Sequence, residues 1–260
     1  MLFRRFALPS AVAAAAAVLM MTAAQALPPT ELMGDGPPPV PLKNKARIIH
    51  TEWGYRMVAG QQNSNITVTE VDGKLLFADT GTQSWRDIPK SCVKQTPEKG
   101  VAALCTIPAV FSGDKTMFIE IWPRLGDDVV DGSSLSAKYR LWVLCDKGND
   151  TVYTGPGDDF VNGAQNDDVI YGNAGNDWLR GGANDDKVWG GDGNDKIVGQ
   201  DNHDLIYGEG GDDLLYGAFG PDTIWGGEGT DRIVCGGGDD TAYVDGSEKG
   251  WECESVSSTT

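Results

Sequence analysis

Asp150, Asp159, Asp168, Asp177, Asp186, Asp195, Asp204, Asp213, Asp222, Asp231 and Asp240 stand nine residues apart without a break. Such a row is either a solvated acidic surface or a set of hard oxygen ligands for a cation. Glycine decides between them. The residue four beyond the aspartate is glycine in eight consecutive units, Gly163 to Gly226. Glycine admits positive φ and close backbone approach, which lets carbonyls curl around an ion. Asn166, Asn184 and Asn202 take the glycine place two before the aspartate, and asparagine is the next best residue for left-handed geometry. Gly181–Asp186, Gly190–Asp195 and Gly226–Asp231 are the best-formed turns. Pro156, Phe219 and Pro221 are expected to distort theirs.

The elements that hold these aspartates repeat with them. From Gly148 the chain reads GNDTVYTGP, GDDFVNGAQ, NDDVIYGNA, GNDWLRGGA, NDDKVWGGD, GNDKIVGQD, NHDLIYGEG, GDDLLYGAF, GPDTIWGGE, GTDRIVCGG, GDDTAYVDG. The fifth place is aliphatic from Val152 to Ala242. A fixed internal period of this kind marks a solenoid.

The segment resembles the hemolysin-type calcium-binding repeat, or RTX, whose pattern is G-G-x-G-x-D-x-U-x with U aliphatic. The resemblance covers about residues 145–246. It implies an all-β fold, a parallel β-roll (a β-solenoid) in which each nonapeptide gives one Ca2+-binding turn and one short strand. Two nonapeptides then make one coil. Alternation along each strand turns U inward, so one sheet buries Val152, Ile170, Val188, Ile206, Ile224 and Ala242, and the other Val161, Leu179, Ile197, Leu215 and Ile233. That core is one side chain deep. The eleven turns fall six on one edge and five on the other, so ions between neighbours number at most about nine. Aspartates one coil apart repel until a cation bridges them.

The place after U carries a second pattern. Tyr153, Tyr171, Trp189, Tyr207, Trp225 and Tyr243 recur once per coil and form an aromatic ladder outside one sheet. It reads as cross-strand packing or as a stacking platform for a glycan or cell-surface polymer. Cys235 and Cys253 are one coil apart, close enough for a disulfide. Lys249 is expected at the aspartate place and Trp251 at the inward place of that last coil. Cys92 and Cys105 are expected to close a local loop, which leaves Cys145 over.

Residues 1–26 have the layout of a secretory signal: Arg4 and Arg5, an apolar run from Ala11 to Met21, then Ala24-Gln25-Ala26. The run is too short to span a membrane, so no transmembrane segment is expected in the mature chain. Cleavage takes the charge from -17 to about -19, because the segment holds two arginines and no acid. That balance argues against nucleic acid as a partner. Residues 27–50 read as a proline-rich linker. Residues 51–144 read as a β-rich cap region in which the solenoid starts, with an insertion around Ser134–Tyr139. Asp72-Gly73 is a hairpin signal between NITVTEV and GKLLFAD. Residues 247–260 read as a C-terminal cap and tail.

The sequence thus predicts a secreted, extracellular, periplasmic or surface-associated calcium-binding β-roll that is not an enzyme. The rival is a glycan- or surface-binding adhesin acting through the aromatic ladder. A third reading places an unrecognised catalytic part before the repeats, where His50 and Glu52 stand in RIIHTEWGY. His203, in a turn, reads as solvent-facing. The N-terminal signal departs from the uncleaved C-terminal signal usual for RTX export.

Overall fold

A computed structural model describes residues 44–111, 113, 115–245, 249–251, 253 and 255–258. The segments read from the sequence as a signal and most of that read as a linker lie outside them. The described residues form two long sheets, of eleven and twelve strands. Apart from one short 3₁₀ turn at Ala109–Phe111, the regular structure among the described residues is all strand.

From Phe160–Gln165 onward, alternate strands go to alternate sheets, and each pairs in parallel with the strand one coil on. The register sets Val152, Ile170, Val188, Ile206, Ile224 and Ala242 in one column. Val161, Leu179, Ile197, Leu215 and Ile233 form the other. All are buried. The fold is therefore an all-β parallel β-roll.

Both columns continue past the repeats. Met57, Ile121 and Val143 extend one, and Ile66 and Val130 the other. The coil between Val130 and Val152 is four residues longer than a repeat coil. The excess is a turned segment after Gly132, where the Leu135 amide bonds the Gly132 carbonyl and that of Tyr139 the Ser136 carbonyl. The insertion lies where the sequence places it.

Towards the N-terminus the core widens and direction changes. Tyr55 packs edge-on to Phe77 at 5.9 Å, beside Met57, Ile66, Leu75 and Met117. Asn65–Val71 and Lys74–Asp79 form an antiparallel hairpin. Its turn residues Asp72 and Gly73 both have positive φ, 50° and 68°, as a two-residue turn between twisted strands requires. Cys92 and Cys105 face each other across antiparallel strands and are disulfide-bonded. One expectation needs correction: the linker does not run to residue 50. Lys45–His50 is a strand, paired antiparallel with Gly54–Val58. The proline content that marks a linker stops before it, and Ala46 and Ile48 alternate inward.

The last coil also departs from expectation. Cys235 and Cys253 are bonded, but Val234 pairs with Trp251 and Ile233 with Gly250. The coil is one residue short, so Gly250 rather than Trp251 takes the inward register place.

Each regular turn needs a left-handed residue four before its aspartate. Glycine or asparagine fills this place at Asn173, Gly182, Gly191, Gly227 and Gly236, but Ala164, Gln200, Glu209 and Ala218 also adopt it, with φ of 81°, 102°, 73° and 89°. An L-residue there costs roughly 1–2 kcal/mol. Ala164→Gly and Ala218→Gly are each expected to raise the melting temperature in calcium by about 2–4 °C. Gly191→Ala should lower it, because its Cβ would collide with the Asn173 backbone. Thermal melts of the three variants check the pair of signs.

Candidate metal centre

All eleven sequence-predicted aspartates are buried, none more than 4% exposed. They line the two edges where the chain passes from one sheet to the other. Their burial is enforced by a backbone ladder. The amide of each aspartate donates to Oδ1 of the aspartate one coil on: Asp150 to Asp168, Asp168 to Asp186, Asp186 to Asp204, Asp204 to Asp222 and Asp222 to Asp240. On the other edge Asp159 donates to Asp177, Asp177 to Asp195, Asp195 to Asp213 and Asp213 to Asp231. These bonds are 2.7–2.9 Å long. Stacked aspartates therefore do not confront one another carboxylate to carboxylate, as the spacing suggested. Each spends one oxygen on its neighbour's amide.

The second oxygen is different. Oδ2 of Asp168, Asp177, Asp186, Asp195, Asp204, Asp213 and Asp222 is buried with no hydrogen-bond donor. Each points at the glycine five residues before it. A Cβ on Gly172 would lie 2.6 Å from Asp177 Oδ2, and one on Gly190 would lie 2.7 Å from the Gly208 carbonyl oxygen. The same pair, a carboxylate Oδ2 and a carbonyl oxygen one coil on, crowds Gly163, Gly172, Gly190, Gly208 and Gly217. Two acceptors converge on one point with no proton between them.

That donor set fits calcium. Carboxylate and carbonyl oxygens are hard ligands. Among the described residues no three acidic, imidazole or thiol side chains gather at one point. Such an ion would therefore be held by one or two carboxylates completed by backbone carbonyls, and the thiolate–imidazole chemistry of zinc has no foothold.

Burial also shows in the proton affinities. Desolvation pushes Asp177 up to about 10, and Asp128, Asp168, Asp186 and Asp204 to about 8. Asp150, Asp159, Asp213 and Asp222 rise to about 7, and Asp195 to about 6. Amide hydrogen bonds pull the other way but do not win.

Several features were not singled out in the sequence. Asp128 is a twelfth aspartate of the row: its amide donates to Asp150 Oδ1, its own Oδ1 takes the Ser64 amide, and its Oδ2 has no donor. Its phase with Val130 was the available signal. A second Asx ladder runs outside the first in the opposite direction. Asp158 and Asp185 accept amides of Asn176 and His203, and Asn194 that of Asp212. The Phe219–Pro221 turn keeps its shape, with Phe219 pointing out and φ of 123° at Gly220. Pro156 does distort its turn: neither Gly155 nor Gly157 is left-handed. There Asp159 holds donors on both oxygens, the Leu141 amide on Oδ1 and the Gly155 amide on Oδ2. Asp159 thus departs from the expected ligand row. Cys145 is buried and free, and burial, with Asp150 and Asp168 nearby, pushes its thiol up. His203 and His50 are both exposed.

Residues 146–170, 162–197, 171–206, 189–224 and 207–242 match the family described as the RTX calcium-binding nonapeptide repeat in four copies. The segment 146–242 is therefore made of RTX calcium-binding repeats. No curated protein matches the chain.

The pH dependence follows from the proton affinities. A carboxyl whose folded value lies above its unfolded value of about 3.9 favours the folded state when protonated. Its contribution is full below that unfolded value and is lost as pH rises through the folded one. With a chelator present, the roll is expected to be most stable at about pH 4 and below, to lose stability steadily as pH rises above that, and to level off near pH 10, where the last of these groups ionises. Circular dichroism melts across that range check the direction. A metal-free roll that is more stable at pH 9 than at pH 4 would contradict it.

Proposed function

We propose that the protein is a secreted, non-enzymatic calcium-binding β-roll whose folding is driven by Ca2+ held between stacked turns. The observation that carries this reading is the file of buried Oδ2 atoms without donors. Burying carboxylates without a countercharge opposes the metal-free fold at neutral pH, and the inward columns offer one aliphatic side chain per strand against the entropy of ordering. A divalent ion supplies the missing countercharge, so binding and folding become one event. The N-terminal signal layout supports export, into surroundings where calcium is plentiful.

The aromatic ladder favours packing over a glycan platform. Tyr153, Tyr171, Trp189, Tyr207, Trp225 and Tyr243 stack flat, with centroids 4.3–5.1 Å apart. Ring faces are spent on one another, and no space remains for a sugar between them. Solvent meets mostly ring edges.

In a calcium titration of the full chain, a cooperative gain of β-sheet signal is expected at roughly 10⁻⁴–10⁻³ M. Chelator-treated protein that keeps its spectrum and melting temperature at pH 7.5 would sink the proposal. Trp189→Ala removes two stacked pairs, so a loss of about 1–3 kcal/mol is expected, read from melts in calcium. Unchanged stability with lost binding to a polysaccharide panel would instead favour the adhesin reading.

A further inference from the structure

The turn Thr154–Asp159 has the same two oxygens as its neighbours, and both are already answered. Thr154 takes the place five before the aspartate, where the next coil has Gly172. Its hydroxyl donates to the Gly172 carbonyl at 2.5 Å. The Gly155 amide donates to Asp159 Oδ2 at 2.9 Å. The carbonyl of Thr154 itself receives the Asn173 side-chain amide at 2.8 Å. Thr154 is fully buried.

One coil on, the carboxylate has no such donor. Asp177 Oδ2 has no donor and converges with the Gly190 carbonyl on the missing Cβ of Gly172. The backbone differs in step. Asn173 and Gly175 have φ of 66° and 121°, whereas Gly155 and Gly157 are not left-handed. Proline at 156 accompanies that change.

We propose that Thr154 is a side-chain stand-in for the cation: the turn 154–159 closes by hydrogen bonds alone, and the ion file on that edge begins one coil later, at Asp177. This rests on the calcium reading of the other turns. The chemistry is a substitution of donors for charge. In the ion-type turns a cation answers a carboxylate and a carbonyl together. Here an amide proton answers the carboxylate and a hydroxyl proton the carbonyl. No room is left for an ion, because the Thr154 side chain fills the space that Gly172 leaves open. The coil that joins the repeats to the N-terminal cap is therefore closed without metal on this edge.

The test is a turn exchange in the full chain. Thr154→Gly, Gly155→Asn and Pro156→Ala together give turn 154–157 the sequence of 172–175. Bound calcium is counted by native mass spectrometry in both proteins. One additional ion per chain is expected in the exchanged protein. If the parent binds calcium and the count does not rise, the stand-in is wrong and the calcium reading survives. If neither protein binds calcium, both fall. Should the exchanged chain not fold, Thr154→Val and Thr154→Ser decide. The valine form is expected to keep the parent's ion count and melt lower, and the serine form to recover. A melting temperature untouched by valine would overturn the proposal.

Discussion

Everything in the repeat region depends on a carboxylate that is buried before it is neutralised. The amide-to-Oδ1 ladder drags each aspartate under the surface, and the sheet pairing fixes the distance to the next one. Once Oδ1 is committed, Oδ2 of Asp168, Asp177, Asp186, Asp195, Asp204, Asp213 and Asp222 is left without a donor. Proton and cation are then alternatives for one place. This explains why glycine five before the aspartate is not merely tolerated: any side chain there would occupy the space a counterion needs.

The two ends of the roll solve the same problem differently. At the N-terminal end the core thickens around Tyr55 and Phe77 and the strands turn antiparallel. At the C-terminal end a disulfide ties Cys253 to Cys235. Buried apolar area and covalent bonds thus replace electrostatics where the repeats stop.

Much of this was legible because a strict period converts directly into register. The inward columns, the Asp72-Gly73 hairpin, both disulfides and the ladder all follow from residue type and spacing. What was not legible depends on backbone direction. Nothing in the letters says that an aspartate's Oδ1 will accept its neighbour's amide. Nor do Ala164, Gln200, Glu209 and Ala218 advertise positive φ, since propensity argues against it and the stacked turns overrule propensity. A second aromatic file, Phe118, Trp142, Phe160 and Trp178, packs edge-on or tilted outside the other sheet. It was overlooked because it sits before the inward residue rather than after it. Lys196 continues it as a cation 4.8 Å from the Trp178 ring. The one-residue slip at Trp251 was hidden for the opposite reason: the disulfide spacing mimics a regular coil.

Parallel coils of near-identical sequence carry a hazard. Each exposed end is a template for the end of another copy, and head-to-tail addition without closure grows a filament. The reversal of strand direction at the N-terminal end removes that template. There the outermost strands, Ser84–Asp87 and Cys92–Gln95, belong to the irregular cap and not to the repeat, so an incoming coil finds no matching register. The antiparallel cap thereby keeps a repetitive molecule finite.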